Sequence, residues 1–152
     1  RRQRQMCIRD SLATYLDLFS RKTVGRQVSL RINENLAIDA LGNAVNRENP
    51  EERLMVHTDR GSQYTSSRLC RELENRGFVR SFSRKGCPYD NAVMEPFFKT
   101  PKGELPLDRK RDTRIEARQE IFKFIELYYN TRRPHSSLGN LSPLEYERQC
   151  AH

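Results

Sequence analysis

The chain has 152 residues, of which 28 are Lys or Arg and 20 are Asp or Glu, so its formal net charge is +8. This length is enough for one domain with its own hydrophobic core. No apolar run approaches the roughly 18 residues that a membrane-spanning helix needs, and no leader-like segment opens the sequence. The composition therefore predicts a cytoplasmic protein with no membrane partner.

Arginine supplies 22 of the 28 basic residues. Its planar guanidinium group binds two phosphate oxygens at once, so this preference indicates a phosphate-bearing partner. The alternative is a basic surface that serves solubility alone. The 4 cysteines form no C-x-x-C pair and the 3 histidines no cluster, so neither a zinc site nor a disulphide framework is predicted.

Hydrophobic periodicity predicts the first elements. The stretch 12–30 is rich in β-branched, aromatic and leucine residues, which predicts two adjacent strands. Apolar residues then recur at steps of three and four from Leu36 to Val45. Because Asn33 can cap this run and Pro50 can stop it, the pattern predicts an amphipathic helix.

A strand–helix–strand pattern follows. Residues 53–57 predict a buried strand that ends in a polar turn beginning at Thr58. Residues 66–76 predict a helix with Gly77 just beyond its C-terminus, and residues 78–82 alternate as an exposed or edge strand.

Loop and then helix are predicted after these strands. Residues 83–90 contain glycine and proline and predict a loop. A helix is predicted from Asn91 onward, although Pro96 and Pro101 disturb it. Its predicted apolar stripe consists of Met94, Phe97 and Phe98.

The last long helix is predicted to open with a capping box, Thr113-x-x-Glu116, and a short helix is predicted from Pro143. The order of elements predicts a mixed α/β fold with one central sheet flanked by helices. The inward face of the long helix is predicted to comprise Ile121, Phe122, Ile125, Tyr128 and Tyr129.

Two carboxylates stand at positions suited to metal chemistry. Asp59 follows a predicted strand, and Glu95 lies 36 positions later on a predicted helix face shared with Asn91, Lys99 and Lys102. Carboxylates in such places are the oxygen ligands that Mg²⁺ prefers, and a pair of these ions can promote phosphodiester displacement. Each has an ordinary alternative, because Asp59 can cap its own turn and Glu95 can pair with Lys99.

Four segments of the sequence together resemble one known family. They are similar, in a single collinear series that spans residues 13–148, to the OrfB-type transposases of bacterial insertion sequences, which have a retroviral-integrase-like core. The segments are DLFSRKTVG at 17–25, HTDRGSQYTS at 57–66, SRKGCPYDNAVMEPFFKTPKGEL at 83–105 and YYNTRRPHSSLGNLSPLEYE at 128–147.

The resemblance implies a ribonuclease-H-like fold and the cutting and joining of DNA strands with Mg²⁺ or Mn²⁺ by a homo-oligomer on DNA. It implies that Asp59 and Glu95 are the family's second and third acidic metal ligands. His57, next to Asp59, and Asn91, on the predicted face of Glu95, are candidate supporting residues, the alternative for His57 being that it only packs at the strand end. Four basic residues near Glu95 in the sequence would contact DNA phosphates, the alternative being that they only solubilise the surface. These residues are Arg84, Lys85, Lys99 and Lys102.

The family's first acidic ligand lies upstream of the segment at 17–25 and finds no match in this sequence. Asp17 belongs to the matching segment itself, and Asp10 fits only if a deletion brings it to the strand. We therefore expect a truncated core that lacks its first strand and shows no strand transfer, and the alternative function is a non-catalytic DNA-binding remnant. The predicted parts are a disordered segment outside the family pattern at 1–11, a partial catalytic core at 12–105 and a helical extension of that domain at 106–152.

Overall fold

The computed structural model describes residues 12–29, 33–85 and 114–151, together with Met94, Phe97 and Lys99. The disorder predicted for residues 1–11 lies outside this part of the chain. The elements, in chain order, are β1 (Leu12–Leu16), β2 (Thr23–Val28), α1 (Glu34–Glu48), β3 (Met55–Thr58), α2 (Ser67–Asn75), β4 (Val79–Phe82), α3 (Arg114–Lys123), a π-helical segment (Phe124–Tyr129), a short 3₁₀ helix (Ser136–Leu138) and α4 (Pro143–Cys150).

The chain divides into two compact units. The first unit comprises residues 1–15 and 24–92, and the second comprises residues 16–23 and 93–152. None of the helices in the described ranges has both the length and the apolar composition that crossing a membrane requires.

β1 and β2 are the two adjacent strands that the sequence predicted, and they pair with each other. Because the segment between them is too short for a parallel crossover, they form a hairpin. Gly25 of β2 lies directly against α1: an added Cβ would collide with the backbone oxygen of Ala40 and lie 2.5 Å from the Cβ of Ala44. Glycine is therefore required for this close approach of strand and helix.

Helix α1 begins and ends where the sequence predicts. The side chain of Asn33 accepts a 3.1 Å hydrogen bond from the backbone N–H of Leu36, which caps the helix. The helix ends at Asn49, which adopts a left-handed conformation with φ of 43°, just before Pro50. The buried face comprises Leu36, Ala37, Ala40, Leu41 and Ala44.

β3 and β4 are parallel neighbours connected through α2, with Met55 opposite Val79 and His57 opposite Ser81. The prediction of a buried strand at 53–57 is wrong, because Val56 is buried whereas Met55 is 64% exposed. Val56 faces the core and its neighbour Met55 faces the other side of the strand, whereas His57 and Thr58 are both partly buried. In the described part of the chain the strands form two two-stranded sheets, β1–β2 and β3–β4, where the sequence predicted one.

The core of the first unit is built by α1, β3 and α2. Helix α2 is capped by Ser66, and Gly77 has the positive φ of 69° expected of a residue just beyond a helix. Tyr15 and Tyr64 pack at the margin of this core. Its buried members are Ala37, Leu41, Val56, Leu69, Leu73 and Phe78.

The inward face of the long helix in the second unit differs from its prediction. Phe122 and Tyr128 are exposed, whereas Phe124 is buried. The helix changes at Phe124 into a π-helical segment, whose wider turns place residues five apart above one another. Phe124 and Tyr129 therefore share the inward face. The buried residues are Ile121, Phe124, Ile125 and Tyr129.

The remaining parts of the second unit agree with the sequence where the structure describes them. Ser142 and Glu145 form a capping box at the start of α4, with Pro143 in its first turn. Met94, Phe97 and Lys99 are helical, as predicted for the segment that follows Asn91. Phe97 is buried and packs edge-to-face on Tyr129 with ring centroids 4.9 Å apart. The predicted positions Thr113, Phe98, Pro96 and Pro101 lie outside the described residues.

Candidate active site

Asp59 lies directly after β3, at the carboxyl end of the parallel β3–β4 pair. Its side chain is exposed, and Oδ1 accepts a 2.8 Å hydrogen bond from the backbone N–H of Gly61. The carbonyl of Gly61 in turn accepts from the N–H groups of Tyr64 and Thr65, at 2.9 and 3.1 Å. Asp59 thus caps its own turn through one oxygen. Within the described ranges no hydrogen-bond donor reaches its Oδ2, so this oxygen faces solvent as a potential ligand.

Gly61 keeps the space beside this carboxylate open. A Cβ at this position would lie 2.9 Å from Oδ1 of Asp59 and 2.8 Å from Nε2 of Gln63. Both distances are shorter than van der Waals contact, so any larger residue would displace one or both side chains. The glycine of the HTDRGSQY motif therefore controls how Asp59 is held.

Two partly buried tyrosines pack against the core of the first unit, and the charge of Asp59 acts on one of them, Tyr64. Burial raises the pKa of Tyr64, and the negative charge of Asp59 raises it further. Burial, with the neighbouring Tyr64, also raises the pKa of Tyr15, whose enclosed hydroxyl has no hydrogen-bond partner among the residues that the structure describes. Both phenols stay protonated at neutral pH. Neither phenol therefore adds a negative charge beside Asp59.

His57 ties β3 to β4 through both nitrogens of its ring. Nδ1 lies 2.8 Å from the hydroxyl of Ser81, and Nε2 lies 3.1 Å from the hydroxyl of Ser83. Which ring nitrogen donates to its serine and which accepts depends on the tautomer of the ring. The ring therefore fixes the side-chain positions of two serines at the strand ends, two residues before Asp59.

Ser83 also connects the turn of Asp59 to the loop after β4. Its N–H donates a 3.0 Å hydrogen bond to the carbonyl of Thr58, and its own carbonyl accepts a 2.9 Å bond from Nε of Arg60. Arg84 and Lys85 follow directly and are exposed. These bonds fix the direction in which the two basic residues leave the sheet.

The structure brings only some of the predicted site residues together. His57, Asp59 and the start of the basic loop lie at one end of the β3–β4 pair, and Lys99 is an exposed helical residue. Asn91, Glu95 and Lys102 lie outside the described residues, so the pairing of Asp59 with Glu95 stays a prediction. Among the residues that are described, no group of three His, Cys, Asp or Glu side chains could hold a metal ion. The carboxylate of Asp59 fits Mg²⁺ as one hard oxygen ligand.

In the second unit, the sequence reasoning missed the role of Asn130. Its side chain is fully buried: Oδ1 accepts a 2.9 Å bond from the N–H of Thr23, and Nδ2 donates a 3.1 Å bond to the carbonyl of Thr23. The backbone carbonyl of Asn130 accepts from the N–H of Leu144 at 3.0 Å. The side-chain amide of Asn130 thus satisfies the backbone N–H and carbonyl of Thr23, which a neighbouring β-strand would otherwise bond. The sequence feature that could have predicted this role is an amide residue within an apolar helical face, next to the buried Tyr129.

Ionic contacts hold the loop between β1 and β2 to α4. The hydroxyl of Ser20 lies 2.7 Å from Oδ2 of Asp17 and 2.9 Å from Oε1 of Glu147, and its single proton serves one carboxylate at a time. Nζ of Lys22 donates to Oε2 of Glu147 at 3.1 Å. Asp17, which the sequence analysis set apart from the acidic ligands, thus has a local structural role.

Solved structures define the class of fold. The chain is similar to the catalytic core domain of BIV integrase, with a TM-score of 0.64, 18% identity and coverage of 93% of this chain and 90% of that one. It is also similar to a chain of the simian T-cell lymphotropic virus intasome, with a TM-score of 0.71, 14% identity and coverage of 89% and 47%. The fold is that of a retroviral integrase catalytic core, which confirms the predicted ribonuclease-H-like class.

Sequence comparison shows the family. Two models described as integrase core domain match residues 8–88 and 76–143, and the chain belongs to this family. It is 53% identical over 137 residues to the transposase of insertion sequence IS904 from Lactococcus lactis, covering 90% of this chain and 54% of that protein. It is 41% identical over 138 residues to the transposase InsF of IS3fB from Escherichia coli, covering 91% and 48%. The chain thus spans about half the length of these curated relatives, and the predicted resemblance is confirmed.

Proposed function

We propose that this chain forms the catalytic core of a transposase that cuts and joins DNA strands with Mg²⁺ or Mn²⁺. The observation that carries the proposal is the exposed carboxylate of Asp59 at the carboxyl end of β3, with one oxygen used by its own turn. It stands within HTDRGSQY, the segment that resembles the family's second acidic motif. The transposases among the relatives support the reaction class.

Asp59 and Glu95 would hold the metal ions in this proposal. A bound divalent ion would supply a Lewis acid that stabilises charge at the attacked phosphate. An HTLV-2 integrase core solved in complex with magnesium, with a TM-score of 0.61 to this chain, supports this choice of ion. His57 would keep the strand ends in register through its two serines, and Asn91 would support Glu95.

DNA would lie along exposed basic residues. Arg84 and Lys85 leave the sheet next to the turn of Asp59, while Lys99 and Lys102 belong to the predicted helix of Glu95. Such residues bind phosphates without reading sequence, and they make binding dependent on salt. We further propose that copies of the chain assemble on DNA in the bacterial cytoplasm. The HTLV-2 core, described as trimeric, and the bacterial origin of the relatives support this.

Metal binding tests the proposed ligands directly. Mn²⁺ bound to the chain is measured by electron paramagnetic resonance for the wild type, Asp59→Asn and the matched control Asp39→Asn, whose carboxylate is exposed on α1. We expect Asp59→Asn to weaken Mn²⁺ binding about tenfold, because a shared ion loses an oxygen ligand. Glu95→Gln should act similarly, and Asp39→Asn should leave binding unchanged. Equal Mn²⁺ affinity of the wild type and Asp59→Asn would contradict the proposal.

Strand joining tests the reaction itself. A labelled duplex with the end of IS904 is incubated with plasmid DNA and Mn²⁺, using this chain and, as the positive control, the transposase of IS904. Joined product that needs both Mn²⁺ and Asp59 supports the enzyme. DNA binding without joining, together with Mn²⁺ binding that is indifferent to Asp59, supports the alternative of a non-catalytic DNA-binding protein.

A further inference from the structure

Arg60, the residue after Asp59, has an anchored side chain whose end is open to solvent. Its Nε donates a 2.9 Å hydrogen bond to the carbonyl of Ser83, and the residue is exposed. A guanidinium group carries further N–H donors on its two terminal nitrogens, and these form a fork that matches two oxygens of an anion. Among the residues that the structure describes, none accepts a hydrogen bond from the terminal nitrogens of Arg60. The end of this side chain is therefore available to bind an anion.

Ser83, to which Arg60 is anchored, is itself held by the sheet. Ser83 is buried, its N–H donates a 3.0 Å hydrogen bond to the carbonyl of Thr58, and its hydroxyl lies 3.1 Å from Nε2 of His57. Because the carbonyl of Ser83 is fixed in this way, it restricts the rotamers of Arg60. A side chain that is already restricted loses less conformational entropy when it binds a ligand. The structure thus preorganises one exposed arginine at the turn of Asp59.

Two other arginines of the first unit are used differently. Nη2 of Arg76 lies 2.6 Å from a carboxylate oxygen of Glu72, and Nη2 of Arg80 lies 2.7 Å from one of Glu74. These ion pairs occupy terminal nitrogens that could otherwise bind a phosphate. Arg60 forms no ion pair with any carboxylate in the described ranges, so it keeps both its charge and its terminal nitrogens.

Asp59 and Arg60 present opposite charges from the same turn without pairing with each other. Oδ1 of Asp59 accepts from the N–H of Gly61, and Nε of Arg60 donates to the carbonyl of Ser83, so a backbone group holds each side chain. A DNA phosphate that lies against this turn would meet a carboxylate and a guanidinium group that are both fixed. Of these two groups, only the guanidinium group attracts it.

We propose that Arg60 binds a backbone phosphate of double-stranded DNA at the turn of Asp59. The inference rests on the proposed function, which supplies DNA as the ligand. The terminal nitrogens of Arg60 bind oxygens of the phosphate while its Nε stays on the carbonyl of Ser83. Such a contact carries no sequence information, but it fixes which phosphate stands next to Asp59. Arg60 therefore positions the DNA strand rather than reacting with it.

DNA binding as a function of salt tests this contact. Fluorescence anisotropy measures the affinity of a labelled duplex of arbitrary sequence in EDTA for the wild type, Arg60→Gln and Arg71→Gln. Arg71 is the matched control, because it is exposed and its Nε also donates to a backbone carbonyl, that of Ser67, at 3.3 Å. Losing one phosphate contact lowers the slope of log affinity against log salt by about 0.9, so Arg60→Gln should bind about eightfold more weakly at about 0.1 M salt. Arg71→Gln should bind less than about twofold more weakly, because salt screens a charge that touches no phosphate.

The carboxylate of Asp59 locates the bound phosphate. Without a metal ion this carboxylate repels a phosphate held next to it, so Asp59→Asn should strengthen DNA binding about threefold in EDTA. The same substitution made in Arg60→Gln should change the affinity much less, because the phosphate is no longer held at this turn. Asp39→Asn, at an exposed position of α1, is the control and should give equal small effects in both backgrounds. Equal gains from Asp59→Asn with and without Arg60 would overturn the proposal.

Three further results would also count against the contact or isolate its failure. Equal slopes for Arg60→Gln and Arg71→Gln would refute it, since net charge alone would then explain any loss of affinity. Mn²⁺ binding should be no weaker in Arg60→Gln than in the wild type, and weaker binding would assign Arg60 to holding the turn instead. A wild type that binds no duplex would refute the proposed function as well, whereas duplex binding that is indifferent to Arg60, with Mn²⁺ binding that depends on Asp59, would refute only this inference.

Discussion

The turn of Asp59 and the segment around Asn130 are both polar stretches that match a family motif, yet they are built differently. Asp59 is exposed and bonds within its own turn, to an N–H two residues away. Asn130 is 1% exposed, and its amide bonds both backbone groups of Thr23, 107 positions distant. The first arrangement leaves an oxygen for a ligand, whereas the second uses its polar atoms for architecture. The ligand role of Asp59 and the structural role of Asn130 are therefore distinguished by how deeply each side chain is buried and by how far in sequence its hydrogen-bond partner lies.

The largest effect should come from Asn130. Asn130→Ala leaves the N–H and carbonyl of Thr23 buried without partners, and each such group costs about 1–3 kcal/mol. We expect the free energy of unfolding, measured in urea, to fall by about 3 kcal/mol. Asn46→Ala, at an exposed position of α1, is the control and should change it by less than about 0.5 kcal/mol. A loss below 1 kcal/mol for Asn130→Ala would remove the contrast between the two regions, since the value expected is about three times larger.

The next largest effect should be a pH dependence of the free energy of unfolding, caused by His135 in the buried segment around Asn130. In the folded chain the pKa of His135 is lowered to about 4, so between that pH and about 6.5 the unfolded chain binds a proton that the folded chain does not. Stability is therefore complete above this window and falls as the pH is lowered through it. We expect unfolding in urea to require about 2 kcal/mol less at pH 5 than at pH 7.5. His135→Gln, which cannot titrate, should flatten this difference; an equally steep dependence in that variant would assign it to other groups.

The smallest effect on stability, but a specific one on binding, should come from Gly61. Its added methyl group meets only the ends of two flexible side chains, Asp59 and Gln63, so we expect Gly61→Ala to change the free energy of unfolding by less than about 0.5 kcal/mol. The displaced carboxylate should bind Mn²⁺ about threefold more weakly. Gly42→Ala is the control: a Cβ there has no atoms within 4 Å, and alanine should stabilise α1 by about 0.5–1 kcal/mol without changing Mn²⁺ binding. Unaltered Mn²⁺ affinity in Gly61→Ala would show that this glycine does not position Asp59.

Local chemistry explains which parts of the fold could be predicted. The cap at Asn33, the stop before Pro50 and the short helix from Pro143 each depend on a few neighbouring residues, and all three are confirmed. The exposure of Met55 and Tyr128 was not predicted. Met55 depends on which face of the sheet is covered, and Tyr128 depends on a π-helical segment that shifts the inward face.

The sequence by itself determined the order of the elements, the family and the candidate acidic residues, because helix caps, periodicity and motifs are local patterns. It also predicted that Asp59 would follow a strand, which the structure confirms. Only the tertiary structure decided what the other polar residues do. Asn130 completes the backbone bonding of Thr23, His57 joins two serines, and Lys22 pairs with Glu147. These partners are distant in sequence, and it is packing that brings them together and excludes the water that would otherwise satisfy them.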